Sequence, residues 1–116
     1  MRTFPRELAT FRQLVEERAA QLRQRSFESL LEPATMKRAT FLEPVVIETE
    51  DLTVGSRDAI ISTWVRFHTD GTLGVVLQGF MDHRFMPGKS VALDGFCRHP
   101  DGSVSSMPED ELDEFE

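Results

Sequence analysis

The side chains in this 116-residue sequence that suit metal binding or nucleophilic attack are His68, His83, His99 and the single cysteine, Cys97. Imidazole nitrogen and thiolate together suit a zinc-class ion, with nearby aspartates as oxygen donors. The spacing offers no Cys-x-x-Cys, His-Glu-x-x-His or His-x-His, the patterns by which one short segment brings two donors to one ion. No metal and no cofactor are therefore expected, and the histidines read as surface residues that titrate at strand ends. As a nucleophile Cys97 needs a neighbouring base and a lowered pKa. His99 lies two residues on and shares its strand face, but the alternation Val91, Leu93, Cys97 points the thiol into the core as a small, inert hydrophobe. Asp82 and His83 form an acid–base pair on paper, with Arg84 beside them. Adjacency in sequence does not establish geometry, so no catalytic residue is assigned. Gly71, Gly74 and Gly79 fall in or beside a hairpin rather than between a strand and a helix, which excludes a phosphate-cradling loop; Gly79 reads as a bulge or a close backbone approach.

The elements that position these groups centre on residues 59–81. Ile60, Ile61, Thr63, Trp64, Val65 and Phe67 precede Thr69-Asp70-Gly71, and Val75 and Val76 follow it; β-branched and aromatic side chains favour a pleated surface, and Asp-Gly a tight turn. A three-residue loop with Gly71 in the left-handed position sets Ile61, Thr63, Val65 and Phe67 on one face with Leu73, Val75, Leu77 and Met81. The opposite face carries Ser62, Trp64, Arg66, His68, Val76, Gln78 and Phe80. Upstream, Phe4, Leu8, Phe11, Val15, Ala19 and Leu22 recur every three or four residues, a helical stripe over about residues 5–24, with Thr3 as its N-cap and a solvated arginine and glutamate face. Ser26 caps a short second helix at 27–32 that Pro33 stops, and 39–42 reads as a short extended piece. Strands are expected over 45–54 and 90–99, with a type II turn at Pro87-Gly88. His99-Pro100-Asp101-Gly102 repeats the turn chemistry of His68-Thr69-Asp70-Gly71 and leads into a last strand at 103–105. The fold expected is α+β, an amphipathic N-terminal helix and a short second one packed on an antiparallel meander of about four strands. In outline this resembles cystatin-like α+β folds, an analogy that carries no function. Residues 1–106 form a single domain, and 107–116 are an acidic tail or short helix.

With the helix over the Ile61 face, the candidate binding surface is the other face: Trp64, Arg66, His68, Val76, Gln78 and Phe80, joined by Phe96 and Arg98 from the next strand. Aromatics and arginines with a polar rim have interface composition. Its cover is the tail's own Leu112 and Phe115, with acids on Arg66 and Arg98, or a second copy, or a foreign partner.

Charge narrows the partner. The net charge is −7, yet residues 1–25 hold six arginines against three glutamates, whereas 101–116 hold seven acids and no base. An acidic chain is a poor match for nucleic acid or anionic membrane. No apolar run approaches the roughly 20 residues a bilayer requires, no signal-peptide core stands at the N-terminus, and one cysteine forms no internal disulfide; a cytoplasmic location is the expectation. The leading functional expectation is a small, dimeric protein-interaction protein of inhibitor, immunity or adaptor type. One alternative is a single-stranded nucleic-acid binder stacking bases on Trp64, Phe80 and Phe96 with phosphates on Arg66 and Arg98. The other is an enzyme or small-molecule binder with a pocket between helix and sheet or at loop 82–89.

Overall fold

The computed structural model describes residues 4–82 and 89–116. Helix α1 spans Phe4–Arg23 and α2 Phe27–Met36. Strands β1 Val45–Val54, β2 Arg57–Phe67, β3 Leu73–Asp82, β4 Lys89–Arg98 and β5 Val104–Ser106 follow, and α3, Glu109–Asp113, ends the chain. The strands pair antiparallel in sequence order, so the fold is α+β, with N-terminal helices on a five-strand meander sheet. No helix among the described residues is long and apolar enough to cross a membrane. Thr3, the pair His83-Arg84 and the turn at Pro87-Gly88 lie outside the described residues.

The β2–β3 turn has the expected three-residue form. His68 N–H donates to the Thr72 carbonyl (2.8 Å), Gly71 N–H to the His68 carbonyl (3.1 Å), and Gly71 takes φ +86°. The Asp70 carboxylate accepts from Thr72 N–H (2.9 Å), which holds its pKa below the usual carboxylate range. Phe67 thereby faces Leu73, and Ile61, Val65, Leu73, Val75, Leu77 and Met81 form one buried face. The second Asp-Gly turn repeats this pattern, His99 N–H donating to Ser103 O (2.9 Å) and Gly102 taking φ +92°.

Helix α1 lies on that face with the stripe the spacing predicts, burying Phe11, Val15, Ala19 and Leu22. Gly79 is the close approach: a Cβ there would stand 2.6 Å from Phe11 Cζ and 2.9 Å from Val15 Cγ2. The arginine face of α1 is not simply solvated. Arg18 forms a two-bond fork on Glu50 (2.8 and 3.0 Å), Arg25 reaches Glu48 (2.5 Å), and Arg23 reaches Asp94 (3.3 Å) while lying over the Phe96 ring. Long arginine stems let a helix-face charge reach back to the sheet.

Helix α2 starts where expected, the Ser26 hydroxyl accepting from Ser29 N–H (3.2 Å), but it runs through Pro33 to Met36. Proline leaves the Ser29 carbonyl without its helical donor, and the Arg25 guanidinium supplies one at 3.1 Å. The helix closes in a Schellman pair, Arg38 N–H to Thr35 O and Ala39 N–H to Ala34 O, with Arg38 at φ +60°. Residues 39–42 are not extended; they turn, closed by Thr40 N–H on the Glu43 carbonyl (3.0 Å).

Gly79→Ala places its methyl against the fully buried Phe11, and unfolding in urea should show a loss of about 1–3 kcal/mol. Glu50 and Asp101 are held below the ordinary carboxylate range by hydrogen bonds from Arg18 and from Ser103, respectively. Their stabilisation is present above the unfolded-state pKa and is lost as pH falls through the folded one. A Glu50→Gln/Asp101→Asn double variant should therefore lose less stability than the parent between about pH 7 and pH 3, read from urea midpoints.

Candidate functional site

The outer face is built in rows by the register. Ile60, Phe80 and Val91 lie abreast, then Ser62, Gln78 and Leu93, then Trp64, Val76 and Gly95, then Arg66, Gly74 and Cys97. Two predicted members are absent from it. Val75 pairs with Phe96 and Leu73 with Arg98, so Phe96 and Arg98 stand on the helix side. The expected face assignment followed from pointing Cys97 inward; strand alternation then put Phe96 and Arg98 outward, and the β3–β4 register reverses both. Phe96 is buried beneath α1. Arg98 is buried too, and its guanidinium donates to the Arg23 carbonyl (2.8 Å) and the Arg25 carbonyl, where it meets the negative end of α1. Neither is available to a partner on the outer face.

The last two rows are covered by the chain's own C-terminus. Phe115 meets Trp64 edge to face, with centroids 5.7 Å apart. The Trp64 indole N–H donates to Gln78 Oε1 (3.0 Å), and the Gln78 amide donates to the Phe115 carbonyl. Arg66 pairs with Glu114 (2.7 Å) and lies over the Phe115 ring. Two glycines flatten the sheet for this contact. A Cβ at Gly95 would meet Met107 Sδ at 3.0 Å and Leu112 Cδ1 at 3.2 Å; one at Gly74 would meet Glu111 Oε2 at 2.7 Å and His68 Nε2 at 2.9 Å.

His68 bonds Glu111 at 2.8 Å, and Cys97 completes a cluster in which one donor atom from each residue lies within 4.8 Å of the others. Burial pushes the Cys97 thiol pKa up. The thiol is buried as expected, but on the outer side of the sheet. His99 is elsewhere engaged, bonding Thr72 Oγ1 (3.0 Å) and Ser105 Oγ (2.8 Å) and so tying the two Asp-Gly turns together. Glu111 was not among the sequence candidates. Its signal was available: Glu111, Glu114 and Phe115 fall at helical spacing and so share one side of a turn.

The first two rows stay half-open. Ile60, Phe80, Val91 and Leu93 are each partly exposed. One groove of about 230 Å³ runs by Asp51, Asp58, Ile60 and Phe80, and another of about 490 Å³ by Val91, Leu93, Leu112, Asp113 and Glu116. On the other side of the sheet a cleft of about 170 Å³ lies between α1 and β1, with Arg18, Arg25, Glu48 and Glu50 on its walls. It is smaller than ordinary ligand pockets, and those four charges are paired with each other.

Comparison with family models, with curated proteins and with solved structures finds no match.

Trp64 is the only tryptophan, so its fluorescence reports the contact with Phe115, just beyond α3, directly. Phe115→Ala should shift its emission to the red and lower stability by up to about 3 kcal/mol; unchanged emission would mean that Phe115 does not cover Trp64 in solution.

Proposed function

We propose that this chain is a protein-interaction module that takes a basic, apolar segment of a partner protein on the part of the outer sheet face that α3 leaves open. The observation that carries this reading is the strip of Ile60, Phe80, Val91 and Leu93, apolar and partly exposed, with Asp51 and Asp58 at one end and Asp113 and Glu116 at the other. An apolar centre with a charged rim is how interfaces combine affinity with specificity. The rim favours a cationic partner over a second copy, which would bring the same acids to the contact. It equally disfavours a phosphate backbone, and two of the five residues that a nucleic-acid surface would require, Phe96 and Arg98, face the helices. The outer edge of β1, which pairs with no strand among the described residues, is a weaker candidate, since β1 carries Glu48, Glu50 and Asp51 and a bulge between Val46 and Glu48, devices that discourage strand addition.

The probe is a fluorescein-labelled peptide of alternating lysine and leucine, compared with its glutamate and leucine counterpart by anisotropy. The lysine peptide should bind in a salt-sensitive manner and the glutamate peptide should not. Phe80→Ala should weaken binding by about tenfold or more, Asp51→Asn with Asp58→Asn should reduce the salt dependence, and Phe41→Ala, on the exposed α2–β1 connection, should change nothing. Equal binding of both peptides, or indifference to Phe80→Ala, would overturn the reading.

A further inference from the structure

The cluster at the opposite end of the outer face has no part in that strip and carries a separate reading. We propose that His68, Cys97 and Glu111 form a binding site for a single zinc-class divalent cation, clamping α3 to the sheet.

Three observations support it. The first is convergence from three distant parts of the chain. His68 ends the β2 side of the first Asp-Gly turn, Cys97 lies near the end of β4, and Glu111 is in α3, yet one nitrogen, one sulfur and one carboxylate oxygen come within 4.8 Å of each other, with His68 Nε2 and Glu111 Oε2 already at 2.8 Å. Tetrahedral zinc, with bonds of about 2.0–2.1 Å to nitrogen and oxygen and about 2.3 Å to sulfur, sets its donors roughly 3.3–3.6 Å apart. Side-chain adjustments of about an ångström bring the three to that spacing.

The second observation is the cradle. In the row Arg66, Gly74, Cys97 the middle strand has no side chain, and the space a Cβ would fill at Gly74 is where Glu111 Oε2 and His68 Nε2 stand. Any larger residue there would push two of the three donors away from the third.

The third is access. A groove of about 410 Å³ opens onto His68 and Glu111 between Phe41, Arg66, Asp70 and Asp110, which supplies an entry path and room for a water as fourth ligand. The donor set selects the metal: thiolate and imidazole favour a borderline-soft ion over magnesium or calcium, which prefer oxygen throughout. Binding releases the thiol proton to solvent, and the ion then supplies the charge that keeps the sulfur as thiolate in a buried position. A nucleophilic role for Cys97 fits less well, since burial, and after it the Glu111 carboxylate, push the thiol pKa up.

The test is titration of the full chain, stripped with EDTA, first with Co²⁺ and then with Zn²⁺. One Co²⁺ should bind per chain, giving a near-ultraviolet sulfur-to-cobalt charge-transfer band that Zn²⁺ displaces. Cys97→Ser, a one-atom change that preserves the fold, should abolish that band. His68→Gln and Glu111→Gln should each weaken binding by about a hundredfold, and Gly74→Ala, which keeps every donor, should weaken it as well. Zn²⁺ should also slow proteolytic removal of the C-terminal segment in the parent and not in Cys97→Ser. Absence of stoichiometric binding, or cobalt bound by Cys97→Ser as tightly as by the parent, would overturn the proposal.

Discussion

The register between β2 and β3 is the constraint on which the remaining structure rests. It is held at one end by a turn with two requirements: a residue at φ +86°, met by Gly71, and a carboxylate that satisfies the Thr72 amide, met by Asp70. Because side chains alternate along a strand, a slip of one residue would turn one strand's set to the opposite face and mix the two faces of the sheet. With β3 held in place, Ile61 and Val65 would turn to the outer side, and Trp64 and Arg66 would turn towards α1. The position of both helical coverings, α1 on one side and α3 on the other, follows from that one register.

Each covering seats where the sheet has no side chain. Gly79 admits Phe11 and Val15 on the inner side; Gly95 and Gly74 admit Met107, Leu112 and Glu111 on the outer side. Close approach raises the area that a short element buries, which matters most for α3, five residues long and far too short to be stable alone. Its hold is composite: the Phe115 ring on Trp64, Glu114 on Arg66, and Glu111 on His68. The uneven charge of the chain has its structural counterpart here, the acidic C-terminus returning to Arg66 of β2 and to His68 just beyond it. The N-terminal arginines act likewise on the inner side, through Glu48, Glu50 and Asp94.

The outer face is consequently divided. One end is closed by the chain itself and gathers nitrogen, sulfur and oxygen donors in a sheltered position. The other is an open apolar strip with an acidic rim. These are different chemistries on one sheet surface, and α3 borders both, since Leu112 lines the open groove while Glu111 belongs to the donor cluster. A cation held by the cluster would therefore also define the wall of the strip.

Local patterns determined a good deal of this architecture. The stripe from Leu8 to Leu22, the Ser26 cap, the two Asp-Gly turns and the inner face from Ile61 to Met81 are all readable because periodicity and turn chemistry act over a few residues. The faces of β4 were not readable in that way. Val91, Leu93 and Cys97 on one side and Ala92, Asp94, Phe96 and Arg98 on the other are nearly balanced in hydrophobicity, so alternation alone does not choose between them. The choice came from the long-range pairing of Val75 with Phe96, which sends Phe96 and Arg98 under α1 and Cys97 outward. Pro33 was misread for a related reason: the donor that replaces its missing amide bond comes from Arg25, two residues before the helix begins. The donor cluster depended most on tertiary structure. His68, Cys97 and Glu111 are separated by 29 and 14 positions, and no spacing rule links residues that meet only because two strands and a terminal helix converge over a glycine.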